Sequence, residues 1–279
     1  MAATGTAVAR RSAGPARSLG LGVLFLDALR SEWTKLRSLR STYWTLLVAV
    51  AATIGISAAI CAAHVSQDGR LGPGERAGLD PAFLSISGVF LAQLAVGVLG
   101  VLVISSEHTT GMIRTTITAF PQRRMLLWAK AGVFSAVTLV VGLVSTFVGF
   151  FVGQAILSGQ SMQTSLGHPG VLRVVVGGAL YLLVVGLLGL GLGAVFRRTA
   201  GAIAVLFGLL LVLPALASAL PSPWNQDVME YLPNSAGSAL LHTAHQAGSL
   251  GPWVGFAVFC GYAAAALVGG TWLIHRRDV

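Results

Sequence analysis

Lys35 and Lys130 are the only lysines in the 279 residues, and neither follows the glycine pattern that a phosphate-cradling loop needs. His242 and His245 stand three apart, a spacing that sets two imidazoles on one helical face, yet no carboxylate at ligand spacing accompanies them. A solvated loop helix is the simpler reading, and no metal or cofactor is expected. Cys61 and Cys260 are single residues inside apolar runs at different depths, which points to packing, not to a disulfide. No nucleophile and base pair stands where an intramembrane protease would carry one. What remains is the mixed stretch from Glu107 to Lys130. At helical spacing Ile113, Ile117 and Phe120 form an apolar edge, with Glu107, Arg114 and Thr118 turned away from it. Pro121 ends that helix, and Arg123 and Arg124 follow. A connector between two elements needs far fewer residues. The stretch therefore reads as a polar docking surface for a partner.

The elements that would position it are set by composition. Apolar residues make up 55% of the chain against 10% charged, and the mean hydropathy is +0.80. An ordinary soluble domain does not reach these values. Crossing about 30 Å of hydrocarbon takes roughly 20 helical residues, and six uncharged segments are long enough: Tyr43 to Ala63, Phe83 to Ser105, Ala131 to Leu157, Val174 to Phe196, Thr199 to Leu220 and Trp253 to Ile274. Continuous apolar runs of this kind exclude a β-barrel, whose strands alternate. The predicted fold class is an all-α integral membrane protein of six transmembrane helices.

Orientation follows from the positive residues, which accumulate in cytoplasmic loops. Seven Lys and Arg precede the first span, four lie in the second loop, Arg197 and Arg198 separate spans four and five, and Arg276 and Arg277 follow the sixth. Only Arg70, Arg76 and Arg173 lie on the other side, so both termini are placed in the cytoplasm. The net charge of +9 is then an orientation signal, and no nucleic acid is needed to explain it. Trp33, Trp44, Trp128, Trp253 and Trp272 fall near predicted span ends, where indole rings favour the headgroup layer.

Three units are expected: a polar tail over residues 1–18, an amphipathic helix over 19–42 lying on the cytoplasmic surface, and the six-span domain over 43–279. In the helix, Leu26, Leu29, Trp33, Leu36 and Tyr43 share one face, with Asp27, Arg30, Thr34, Arg37 and Ser41 on another. Small-residue ridges at Ser145, Gly149 and Gly153, at Gly189 and Gly193, and at Gly261, Ala265 and Gly269 predict close helix packing. No Asp, Glu, Lys or Arg falls inside the predicted spans, which argues against a proton-coupled carrier.

The pattern Glu107, Gly111, Ile113, Arg114, Pro121, Arg123, Arg124 and Lys130 resembles the loop after the second span in permease subunits of ATP-binding cassette exporters of the second type, especially actinobacterial ones. Glu32-Trp33-Thr34-Lys35-Leu36-Arg37-Ser38 resembles that family's start, and Tyr231-Leu232-Pro233-Asn234-Ser235-Ala236-Gly237 its approach to the last span. The resemblance covers the chain from about residue 28 onward, with His108 departing where relatives often carry Tyr. It implies a plasma-membrane half-transporter that pairs with a second copy or a sibling permease and with two separate cassette ATPase subunits, and that does not hydrolyse ATP itself. It also implies that Glu32, Lys35, Arg37, Glu107, Gly111, Arg114, Pro121, Arg123, Arg124 and Lys130 belong to the ATPase-coupling surface, and that residues 221–252 form short helices re-entering or capping the outer leaflet. The competing class is a membrane scaffold without transport activity.

Overall fold

The computed structural model describes residues 21–67, 72, 78–109, 123–159, 162–196, 198–221, 224–246 and 248–276. Among them there is no strand, and six helices are long and apolar enough to cross a membrane. The chain is an all-α, multi-pass membrane protein.

A first helix, α1 (Leu21–Ser38), breaks at Leu39 and continues as the first span, α2 (Arg40–Gln67). A one-turn helix, α3 (Pro81–Leu84), precedes the second span, α4 (Val89–Thr109). The third and fourth spans are α5 (Arg123–Leu157) and α6 (Val171–Phe196). The fifth is broken: α7 (Thr199–Phe207) passes through a π-turn at Gly208–Val212 into α8 (Leu213–Ser218). Two short helices, α9 (Trp224–Tyr231) and α10 (Pro233–Ser238), then lead through a 3₁₀ turn at Ala239–Leu241 to the sixth span, α11 (Pro252–Arg276).

Two boundaries differ from the sequence expectation. The second span does not begin at Phe83. Asp80 caps α3 by accepting from the backbone N–H of Ala82 and Phe83, and a turn at residues 85–88 intervenes. That turn is pressed so close to α2 that a side chain on Gly88 would collide with the Thr53 carbonyl. The helix of the third span begins at Arg123, and its apolar stretch at Met125, ahead of the expected Ala131, so Lys130 lies within the helix.

α4 and α6 form the buried centre, with α2, the broken fifth span and α11 more exposed around them. Glycine makes the central pair possible: a side chain at Gly100 would strike the Gly186 carbonyl, and one at Gly189 the Gly97 carbonyl. Close backbone approach of this kind is how transmembrane helices gain packing energy, since lipid supplies no hydrophobic drive between them. The ridge at Gly149 and Gly153 is likewise internal, packed on Ser85. The third ridge differs, because Gly261 and Ala265 face outward. Outward-facing apolar side chains such as Val140, Leu216 and Val268 suit a lipid surround. Trp33, Trp44, Trp128 and Trp272 at one end of the bundle, and Trp253 at the other, are all exposed.

Candidate functional site

α1 carries three stripes. Ala28, Glu32 and Leu36, one helical turn apart, are buried at 1%, 1% and 7% exposure. Leu26 and Trp33 are exposed. Beside them stand Arg30 and Arg37, also exposed. The expected apolar face is thus split: Leu36 packs inward with Leu99, Val103 and Leu127, while Leu26, Trp33 and Tyr43 are more than half exposed. An apolar strip edged by arginines suits a headgroup layer, where long basic chains keep their charge in water.

The buried stripe contains a carboxylate, and a carboxylate taken from water needs partners. Glu32 has two. Lys35 Nζ donates to its Oε1 at 2.7 Å, and Lys130 Nζ, from α5, donates to its Oε2 at 2.5 Å. Lys130 is 5% exposed, whereas the Lys35 side chain keeps 27% of its surface in contact with solvent. Both lysines of the chain therefore meet on one carboxylate, 98 residues apart in the case of Lys130. Lysine suits the position because its compact ammonium has three donors to satisfy, against five in the fork of arginine. The result is an ionic rivet between α1 and the third span, made by Glu32 and Lys130, with Lys35 bracing the same carboxylate from within α1. Nearby, Thr199 donates to Ser105 at 2.9 Å, joining the start of the broken fifth span to the end of α4.

Of the other sequence-predicted site residues, Arg37 is exposed on α1. Glu107 lies in the last turn of α4, and Arg123 and Arg124 open α5; their side chains fall outside the description, which gives only their backbone. Gly111, Arg114 and Pro121, with Ile113, Ile117 and Phe120, lie outside the described residues. The tail over 1–18 does too. Glu32, Lys35 and Lys130 are brought together; Arg37 faces away from them.

The opposite end of the bundle holds a cluster that local spacing did not point to. Asp80 uses Oδ1 to cap α3 and Oδ2 to accept from the Thr243 N–H and hydroxyl, at 2.7 and 2.9 Å. Arg173, at the head of α6, donates through one nitrogen to the carbonyls of His242 and Thr243 at 2.7 and 2.9 Å. The His242 ring stacks on Phe83 with centroids 4.2 Å apart. Burial lowers the pKa of His242, and the charge of Asp80 opposes the shift. Two signals were available: Asp before Pro is an N-cap followed by an N1 proline, and Arg173 is a basic residue on the side of the chain that has few. The cluster fastens the segment after α10 to the first extramembrane loop and to α6.

The segment between these fastenings folds into the bundle. Leu232, Pro233, Ala236, Gly237, Leu240 and Leu241 are buried, and a side chain on Gly237 would strike Phe259 and Tyr181.

Compared with protein families, residues 28–218 match the model described as ABC-2 family transporter protein. The match spans α1 to α8 and includes both lysines and their carboxylate. No curated protein matches the chain.

Proposed function

This chain belongs to the ABC-2 family of transporter proteins, and from that premise we propose that it is the membrane-spanning permease subunit of an ATP-binding cassette exporter, driven by a separate ATPase. The family match across α1 to α8 carries the reading. Two copies of the ATPase, and a second copy of this chain or a sibling permease, complete the assembly, which lies in the plasma membrane with both termini in the cytoplasm. The charge bias supports that orientation, because positive residues are retained inside. ATP chemistry belongs to the partner, since the chain lacks the glycine cradle and lysine that hold nucleotide phosphates.

Coupling runs through the α1 end. Glu107, Gly111, Arg114, Pro121, Arg123 and Arg124 meet the ATPase, with Arg37 on the exposed side of α1. Glu32, Lys35 and Lys130 act one layer deeper: a push on α1 reaches α5 through the ion pair and not through lipid. The physical support is burial, because an ion pair out of water resists separation far more than an exposed one.

The test is reconstitution. The purified chain alone should neither bind ATP saturably nor hydrolyse it, and co-expression with a cassette ATPase of the same genome should give a stable complex with turnover. Arg123→Lys with Arg124→Lys keeps the charge but loses the planar fork, so this variant, and Glu107→Gln, should reach the membrane at normal levels yet associate weakly with the ATPase. Wild-type association and turnover in both would overturn the docking assignment. Cysteines placed at 70 and 242 should react with an impermeant reagent on intact cells and one at 123 should not; labelling at 123 would reverse the topology.

A further inference from the structure

A hydrogen-bonded knot sits between the centre of the bundle and the inserted segment. Tyr181, in α6, is wholly buried. Its hydroxyl lies 2.6 Å from Gln93 Oε1 in α4 and 2.7 Å from Asn234 Oδ1 in α10. Its ring is held by Phe90 on one side and Phe259 on another, at centroid distances of 5.9 and 5.3 Å. Two chain segments, 53 and 88 residues away from Tyr181 in sequence, thus depend on one oxygen.

One hydroxyl has one proton, and the geometry decides where it goes. Gln93 Nε2 donates to the Phe90 carbonyl at 2.9 Å, which fixes that amide with its oxygen toward Tyr181. The Tyr181 proton is therefore committed to Gln93. With that proton committed, the contact at Asn234 is a hydrogen bond only when its amide presents Nδ2 in place of Oδ1 to the Tyr181 oxygen. The two bonds are unequal: the bond to Gln93 lies within the tightly packed pair α4 and α6, whereas the bond to Asn234 crosses to a six-residue helix whose own side chain is part exposed. Among the described residues, α10 and the turn after it are held outside this knot by packing, with Gly237 against Phe259 and Leu240 over Gly177, between the bond of the Tyr262 hydroxyl to the Tyr231 carbonyl and the clasp at residues 242 and 243.

We propose that the Tyr181 hydroxyl is the latch of a gate at this end of the bundle: it holds α10 closed against α4 and α6, and its bond to Asn234 opens and re-forms as cargo leaves. Tyr181 is a positioning residue in this role. The proposal rests on the transporter reading, but its first test does not. A knot that only stabilised the fold would loosen every span when cut, whereas a latch loosens its own flap.

Tyr181→Phe keeps the ring and removes the oxygen. In the full-length chain in nanodiscs, amide hydrogen exchange over residues 232–241 should then speed by about fivefold, the worth of one net hydrogen bond, while exchange in α2 and α5 stays at the wild-type rate. Asn234→Leu should give the same local change, and the double variant should be no faster than either single one, because both cut the same bond. Asn234→Leu carries the test alone if Tyr181→Phe does not fold. Unchanged exchange over 232–241 in the folded variants, or acceleration shared by all spans, overturns the latch. In the complex with the ATPase, Tyr181→Phe should raise ATP turnover in the absence of cargo. Local loosening without any change in that turnover would overturn the gating role while leaving the transporter reading intact. Local loosening in a chain that no ATPase drives would instead sink the transporter reading and leave the flap.

Discussion

The two ends of the bundle are fastened by different chemistry. At the α1 end, one carboxylate with 1% exposure sits between two ammonium groups, and all three charges come from regular helix. At the other end, Asp80 accepts four hydrogen bonds from neutral donors, Arg173 gives its protons to carbonyls, and five of the six partner atoms are backbone, three of them in the loop at His242 and Thr243. The difference is one of stiffness. A buried ion pair holds two rigid bodies at fixed separation and resists being drawn apart, while a set of bonds from single charged groups to neutral partners can be remade one at a time. The first suits transmission of a push, and the second suits a segment that must let go and return.

The largest effect should come from cutting the rivet. Glu32→Gln removes the charge of the carboxylate that both ammonium groups share and so breaks a buried ion pair, at a cost on the order of 3–5 kcal/mol. A large fall in melting temperature in detergent is expected, with most of it recovered in Glu32→Leu combined with Lys130→Met. A Glu32→Gln chain that melts like wild type would break the comparison at once. Next comes Asp80→Ala, which removes a helix cap and the Thr243 bonds together, about 1–3 kcal/mol. Here the loss should be local, seen as faster limited proteolysis between residues 243 and 251 with the α1 end unaffected. Proteolysis at α1 would mean that the two ends are not independent.

A smaller effect concerns pH. Because burial depresses the pKa of His242 in the fold, the folded state binds less proton than the unfolded chain. Stability from this site is complete above a histidine's ordinary value of about 6.5 and is lost as pH falls below it. The melting temperature should therefore drop modestly from about pH 7 to pH 5, and His242→Phe, which keeps the stacking on Phe83, should flatten that part of the slope. An unaltered slope would remove His242 from the clasp. The smallest effect is expected of Asp27→Asn. Its ion pair with Arg30 is 3.8 Å long and largely exposed, so the melting temperature should not move measurably. Asp27 and Glu32 lie on one helix, five residues apart, and burial alone separates their expected effects.

The six spans were legible because run length and absence of charge are local properties. Their edges were less so. Phe83 belongs to a separate turn, since Asp80 starts a helix there and the contact of Gly88 with α2 ends it, while the composition stays apolar throughout. α5 starts earlier than expected because the charge of Lys130, which reads as loop by itself, is answered by a residue 98 positions away. The same distance explains the site. Glu32, Lys35 and Lys130 were singled out by resemblance, but their meeting could not be read from spacing. Gln93 and Tyr181 were visible as polar residues in apolar runs, yet nothing local said that they share a partner in α10.

The wide turn at Gly208–Val212 has a consequence for heredity. A π-turn holds one residue more than the α-helix it interrupts, so the fifth span accommodates an extra residue at this point without disturbing the rest. Losing that residue would restore a regular helix and leave the stretch beyond it on its present bearing, with Ala217 still buried and Leu216 still facing outward. Chains descended from a shared ancestor can therefore differ by a single codon at this point while keeping both flanking helices in place, and aligning them without a gap would misassign every lipid-facing residue from Leu213 to Ser218.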